Sequence, residues 1–216
     1  MFRIGNGFDV HAFAEGRPLI IGGVKIPSER GLAGHSDADV LVHAIMDALL
    51  GALAAGDIGQ RFPNNDPTYM NADSLDLLSD VFSDSIFSEW TVSNIDSVIV
   101  AESPKMSAYF KEMRLNISKT LGIGISEVSI KATTTERLGF CGREEGIAAM
   151  ATVLLASKKN KIGVNDNAKD FSRVRPRGFQ RQGNDWKNKR WKDGNNGSPS
   201  FPKRSSGKRW NSPMGY

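Results

Sequence analysis

The three histidines of the chain, His11, His35 and His43, fall within a 33-residue window. Asp9-Val10-His11 spaces a carboxylate and an imidazole two residues apart. On a strand such positions point to the same face, so both side chains reach one ion. His43 falls inside an apolar stretch with helical spacing, and Asp47 follows it one turn later. One carboxylate and two imidazoles make a three-ligand set for zinc that leaves a fourth position for substrate. Each histidine taken alone also reads as a hydrogen-bonded structural residue, and D-x-H is a short, common string. The spacing leaves both readings open.

The second constellation is Lys131-Ala-Thr-Thr-Thr-Glu136. Thr133 and Glu136 match a capping box at a helix start, the simpler reading of the string. The alternative is a strand end whose hydroxyls and amides face an anion while Glu136 holds a hard divalent cation such as Mg²⁺ together with phosphate oxygens. Gly56-Asp-Ile-Gly59 and Phe62-Pro-Asn-Asn-Asp-Pro67 read first as helix capping and a turn. The loop Gly139-Phe-Cys-Gly-Arg-Glu-Glu-Gly146 carries one arginine, whose fork suits phosphate but is more often a solvated charge. Cys141 in that loop is more often packed than a ligand. Walker A, dinucleotide-binding, nucleophile-elbow and paired CxxC patterns are absent from the sequence.

The elements that must position these residues alternate between strands and helices. Phe2–His11 reads as a strand, and Leu19–Pro27 as a hairpin turning at Gly22-Gly23. Asp37–Ala55 is the strongest helix, with Val40, Leu41, Ala44, Ile45, Ala48, Leu49 and Ala52 on one stripe and Ser36 at the expected N-cap. Ser74–Ser88 and Met106–Leu121 read as further helices. Asn94–Ala101, Val128–Thr133 and Ile147–Ala156 read as strands, although the Ala-rich last segment also suits a helix. The expected fold is α+β, a mixed β-sheet with helices packed on one face.

The chain of 216 residues divides near Ser157. Residues 1–157 carry 12 basic and 20 acidic side chains, and residues 158–216 carry 16 basic and 4 acidic ones. The second part lacks apolar runs and is rich in Asn, Gly, Ser and Pro, so it is expected to be a disordered tail beside one folded domain. The absence of a long apolar run argues against a membrane span, and the start of the chain does not read as a signal peptide. The single cysteine excludes a disulfide framework and fits a reducing cytoplasm.

Six strings occur in order: G-F-D-V-H, H-S-D-A-D-V-x-x-H-A-x-x-D-A-L-L-G, G-D-I-G-x-x-F-P, A-x-x-P-K-M, K-A-T-T-T-E and G-F-x-G-R. Over residues 1–157 the chain therefore resembles the 2-C-methyl-D-erythritol 2,4-cyclodiphosphate synthases of the non-mevalonate route to isoprenoids. The resemblance implies cyclisation of 4-diphosphocytidyl-2-C-methyl-D-erythritol 2-phosphate with loss of CMP. It implies Zn²⁺ on Asp9, His11 and His43, and Mg²⁺ or Mn²⁺ on Glu136 with substrate phosphates. His35 and Thr134 match transition-state stabilisers. Further substrate contacts implied are Val10, Ser36, Asp57, Ile58 and Gly59, and the erythritol wall Phe62, Pro63, Asn64, Asn65 and Asp66. The cytosine pocket would be Ala101, Glu102, Ser103, Pro104, Lys105, Met106 and Ser107, largely through backbone groups. Thr133, Thr135, Phe140 and Arg143 complete the set. The family assembles as a homotrimer with active sites between subunits, so a lone chain should lack a complete site.

Asn64 stands where family members often carry Asp, Cys141 replaces a small hydroxyl residue, and residues 158–216 have no family counterpart. Two rival readings come from other classes. The tail interleaves its cations with seven aromatic residues, a pattern that suits RNA or another polyanion. The same metal ligands would also serve a phosphohydrolase.

Overall fold

Gly5 and Gly7 decide how closely the long helix lies on the sheet. A Cβ atom at either position would collide with the helix backbone, at Ala48 for Gly5 and at Ala44 for Gly7. Both glycines are buried on the strand Phe2–Glu15, β1. The helix above them, α1, spans Val40–Ala52. These contacts are seen in a computed structural model that describes residues 1–63 and 65–159.

After β1 the chain forms a hairpin of Leu19–Ile21 (β2) and Val24–Ile26 (β3), then Arg30–Leu32 (β4). Beyond α1 come the short helix Ile58–Arg61 (α2), Ser74–Ser83 (α3), Trp90–Val100 (β5), Phe110–Leu121 (α4) and Val128–Thr133 (β6). The turn of helix Gly139–Gly142 (α5) and the strand Gly146–Ser157 (β7) complete the described residues. The main sheet has the order β4-β1-β7-β5-β6, with β5 and β6 parallel and the other pairs antiparallel. The mixed sheet with helices against it matches the expected class.

The Ala-rich segment is a strand because it is the central one, paired with β1 on one side and β5 on the other. Ile147, Ala149, Ala151, Val153 and Leu155 alternate into the core. The opposite face of the sheet leaves Ile4, Phe8, Val10 and Met150 exposed.

Helix α1 starts three residues later than expected. Asp39, not Ser36, is its cap, accepting from Leu41 N at 3.2 Å and Val42 N at 3.1 Å. The cause is Ala38, whose φ of 60° breaks any helix begun at Asp37. A cap of this kind stabilises a helix by about 1 kcal/mol. The expected helix at Ser74–Ser88 ends at Ser83, where Asp84 turns extended and caps a separate turn at Ser85–Phe87. The helix expected from Met106 begins at Phe110 behind the turn Ser107–Tyr109. The capping-box reading of Thr133–Glu136 is overturned. β6 ends at Thr133, and both Glu136 and Arg137 have positive φ, so no helix starts there.

Candidate metal centre and substrate cavities

The periodicity of β1 turns Asp9 and His11 toward α1, which presents His43 from one turn inside its N-terminus. Three ligand-type atoms meet there. His11 Nε2 lies 3.0 Å from Asp9 Oδ2, His43 Nδ1 lies 3.1 Å from Asp9 Oδ2, and the two imidazole nitrogens are 3.1 Å apart. A tetrahedral zinc at about 2.0–2.1 Å from each ligand sets neighbouring ligand atoms about 3.3 Å apart. The triangle fits such an ion after an adjustment of tenths of an ångström. Among the described residues it is the single group of His, Cys, Asp and Glu atoms arranged to hold a metal ion.

The outer nitrogens of both rings fix their tautomers. His11 Nδ1 lies 2.7 Å from the carbonyl of Ala33, which can only accept, so Nδ1 carries the hydrogen and Nε2 the lone pair. His43 Nε2 lies 3.1 Å from Ser74 Oγ, whose hydroxyl donates to the Asp37 carboxylate in a short hydrogen bond. Ser74 therefore accepts from His43 Nε2–H, and His43 Nδ1 keeps its lone pair for the centre. Ser36 Oγ lies 3.2 Å from the same Nε2 and accepts from Ala38 N.

Two lone pairs and a carboxylate at such distances repel unless a cation lies between them. In the metal-free chain a proton takes that place. Burial works against a charged His11, but the hydrogen bond and charge of Asp9 outweigh it and raise the imidazole above its ordinary value. Burial likewise works against a charged Asp9, yet the hydrogen bond and charge of His11, with the His43 ring beside them, hold its carboxyl well below the usual range.

The triangle opens into a cavity of about 380 Å³. His35 and Ser36 form one wall, Ile58, Gly59, Phe62 and Pro63 another, with Met46, Tyr69 and Leu77 at the apolar end. The His35 loop is held from three sides. Arg17 donates to Gly34 O at 2.7 Å and, in a short bond, to Ser36 O, while Asn71 N donates to His35 O at 2.6 Å. Asp47 accepts from Ile58 N at 2.8 Å and so fixes the Asp57–Gly59 corner to α1. Asp57 is exposed and caps α2 through Gln60 N. Asn65 and Asp66 do not line this cavity, and the Asp66 carboxylate accepts from Thr68 N. Asn64 lies outside the described residues. Val10 faces the other side of the sheet from Asp9 and His11.

A second cavity, of about 260 Å³, is formed by Ala101, Glu102, Pro104, Lys105, Met106 and Ser107 on one side and Thr133 and Thr134 on the other. Ser103 sits between, joined to Pro104 by a cis peptide bond. Glu136 is exposed beyond the end of β6, and Thr134 Oγ1 donates to its carboxylate at 2.8 Å. Thr135 turns inward and its amide donates to Glu102 at 3.0 Å. Phe140 and Arg143 line neither cavity, and Arg143 pairs with Glu145 at 2.8 Å. Cys141 is buried, and burial pushes its thiol up, away from the thiolate that a metal would take.

Sheet register separates the two cavities within one chain. Asp9 aligns with Ala149 on β7, Ala149 with Ile99 on β5, and Ile99 with Ala132 on β6. Three strand spacings of about 4.8 Å put the Asp9 backbone roughly 14 Å from the strand end that bears Thr133.

Sequence reasoning missed Ser74, Asp37 and Arg17, which orient the ligands and the His35 loop. Ser74 follows the N-cap of α3, Asp73, so its hydroxyl reads as ordinary capping chemistry until the fold sets it beside His43.

A family model described as the YgbB family matches residues 2–156. The chain is 58% identical over 158 residues to the 2-C-methyl-D-erythritol 2,4-cyclodiphosphate synthase of Bacillus cereus (strain ATCC 10987 / NRS 248), covering 73% of this chain and 100% of that protein. It is 57% identical over 158 residues to the enzyme of that name from Lysinibacillus sphaericus (strain C3-41), with the same coverage. Among solved structures it is similar to the bifunctional IspDF from Campylobacter jejuni, with a TM-score of 0.70 and 44% identity, covering 73% of this chain and 42% of that one. It is also similar to the Plasmodium falciparum IspF CDP complex, with a TM-score of 0.61 and 36% identity, covering 73% of this chain and 97% of that one. With its ligand triangle, its paired cavities and a family match across the whole described sheet, the chain belongs to the YgbB family, that of the 2-C-methyl-D-erythritol 2,4-cyclodiphosphate synthases.

Proposed function

We propose that the chain is a phosphorus–oxygen lyase of isoprenoid precursor biosynthesis. It cyclises 4-diphosphocytidyl-2-C-methyl-D-erythritol 2-phosphate to 2-C-methyl-D-erythritol 2,4-cyclodiphosphate and releases CMP. The observation that carries this reading is the pairing of a zinc-type ligand triangle in one cavity with a hydroxyl- and carboxylate-bearing turn at the other. Relatives matched over their whole length carry that enzyme name, and one solved relative is a CDP complex.

An oxygen of the 2-phosphate forms a bond to the β-phosphorus while the bond from that phosphorus to the CMP oxygen breaks, and the electron pair leaves with CMP. Both reacting groups are anions, so the protein's work is positioning and charge neutralisation. Asp9, His11 and His43 would hold Zn²⁺ and Glu136 would hold Mg²⁺ or Mn²⁺; such ions, when bound, neutralise phosphate oxygens and polarise the phosphorus under attack. His35, at the rim of the first cavity, and the Thr134 hydroxyl are the donors for phosphate oxygens. Gly59 and Ser36 fit the polar side of the erythritol, and Phe62 and Pro63 exclude water from it. Backbone groups of Pro104–Met106 suit the cytosine edge. Asp57 suits ribose hydroxyls, while Val10 and Thr133 contribute through the backbone.

The chain works as a homotrimer in this reading. A diphosphate spans only a few ångströms, far less than the roughly 14 Å between the two half-sites across the sheet. One subunit's triangle must therefore meet its neighbour's Thr133–Glu136 turn. The exposed apolar side chains Ile4, Phe8, Val10 and Met150 supply the kind of face that a subunit interface covers. In this reading Phe140, on the helical turn α5, and Arg143, at its end, would reach a neighbouring subunit's substrate.

Lys158 and Lys159 are tied to the body at Glu89 and Ser88, and the rest of the expected tail lies outside the described residues. The motifs that carry the proposed chemistry all precede it, and its charge suits RNA or another polyanion. No helix among the described residues is long and apolar enough to cross a membrane, and the lone Cys141 thiol fits a cytoplasmic enzyme.

Phosphorus NMR of the substrate incubated with the protein and Mg²⁺ tests the reaction. A cyclic diphosphate with CMP is expected; free inorganic phosphate would instead identify a hydrolase.

A further inference from the structure

One carboxylate oxygen ties together the two walls of the second cavity. Glu102 belongs to the segment Ala101–Ser107, yet its side chain turns across to the residues after β6. Its Oε1 accepts from Thr135 N at 3.0 Å and from Arg137 N at 3.0 Å. The Thr135 hydroxyl lies 3.2 Å from the same oxygen and 2.6 Å from Leu138 O, with one hydrogen for both acceptors. The two amides that meet on Glu102 belong to the residues on either side of Glu136.

Leu138 N closes that turn on Thr135 O at 3.0 Å, but this bond leaves the amides of Thr135 and Arg137 to find acceptors elsewhere. Glu136 and Arg137 have φ values of 53° and 65°, two consecutive residues with Cβ atoms in the left-handed region. Such conformations are disfavoured for residues with a Cβ atom and persist where the surroundings enforce them. No helix or strand ladder supplies the amides of Thr135 and Arg137 with acceptors, and Glu102 does. These hydrogen bonds, that from Arg137 N foremost, hold the Glu102 carboxyl below its ordinary range, so at neutral pH it is a charged acceptor.

We infer that Glu102 is a positioning residue: its carboxylate locks the Thr133–Arg137 turn so that Glu136 and Thr134 face the diphosphate, and it joins that turn to the wall that takes the cytidine end. This inference rests on the proposed role of Glu136. It adds that the nucleotide wall sets the geometry of the charge-neutralising turn through one side chain. The Glu102 carboxylate itself does not touch the reacting atoms.

The test compares Glu102→Ala, Glu102→Gln and Glu102→Asp in the full chain, with kcat, the Mg²⁺ concentration for half-maximal rate, bound zinc and melting temperature measured for each. Supporting groups of this kind carry 10- to 100-fold effects. Glu102→Ala is expected to lower kcat by about that factor and to raise the Mg²⁺ requirement several-fold, with zinc content unchanged. Glu102→Gln keeps an oxygen that accepts both amides and should recover most of the rate. Should the alanine variant fail to fold, Glu102→Asp, which keeps the charge but withdraws the oxygen by one methylene, must show the raised Mg²⁺ requirement. A wild-type Mg²⁺ requirement in the folded alanine or aspartate variant overturns the inference, as does a glutamine variant as impaired as alanine. A wild-type chain that forms no cyclic diphosphate overturns the parent reading instead.

Discussion

His11 Nε2 and His43 Nδ1 face each other at 3.1 Å, each with its lone pair rather than a hydrogen toward the other. Ala33 O fixes the first ring and Ser74 Oγ the second, so the contact is repulsive until a cation lies between them. A proton and a metal ion therefore compete for one place.

The pH dependence of the metal-free chain follows from that competition. His11 is raised above 6.5 by Asp9, so its share of the stability is complete below 6.5 and is lost as pH rises through the raised value. Asp9 is lowered from 3.8, so its share is present above 3.8 and is lost as pH falls through the depressed value. The pair thus helps the metal-free fold most between about pH 4 and 6.5. Zinc displaces the proton, and its stabilising effect should grow as pH rises from 6 to 8. Melting temperatures of zinc-loaded and metal-free protein, taken across that range, should diverge with rising pH. A gap that narrows would mean that the triangle is not the zinc site.

Ser74→Ala should weaken zinc binding by about 10- to 100-fold while the chain stays folded. The substitution removes the acceptor that fixes the His43 tautomer but opens only a small void in α3. Chelator competition measures it. Undiminished affinity would leave Ser36 as sufficient partner for His43 Nε2.

Glu136→Gln should cut turnover far more than zinc content, because Mg²⁺ bound through one carboxylate depends on phosphate oxygens for the rest of its shell. Kinetics and metal analysis on the same sample decide this. A fully active variant would remove Glu136 from the site.

Removal of residues 160–216 should leave kcat within about threefold, a barrier change under about 0.7 kcal/mol. The cut spares Lys158, whose amide still pairs with Glu89 at the end of the β5–β7 ladder. Loss of assembly or activity would mean that the segment belongs to the enzyme. Any RNA retention should vanish with it and, in the full chain, should fall steeply with salt.

The elements that hold the site were legible where local patterning and tertiary packing agree. The apolar stripe of Val40–Ala52 marks α1, and the two-residue spacing of Asp9 and His11 marks a shared strand face. Local strings misled where backbone geometry intervened. Ser36 looks like a cap, but the positive φ of Ala38 passes that role to Asp39 and frees Ser36 for His43. Thr133-x-x-Glu136 looks like a capping box, but Glu102, some thirty residues earlier, holds the segment as a left-handed turn. The Asp37–Ser74–His43 chain joins residues 31 and 37 positions apart, a juxtaposition that no local pattern encodes.

In the proposed trimer, one subunit's metal triangle and its neighbour's Glu136 turn act on the same substrate. Mixed trimers of His43→Ala and Glu136→Gln chains test it directly, since each variant alone should be nearly inactive. In a random mixture about one interface in four joins an intact triangle to an intact Glu136, so activity should return to about a quarter of wild type. Activity that stays at the level of the separate variants would contradict the shared site and confine the chemistry to a single chain.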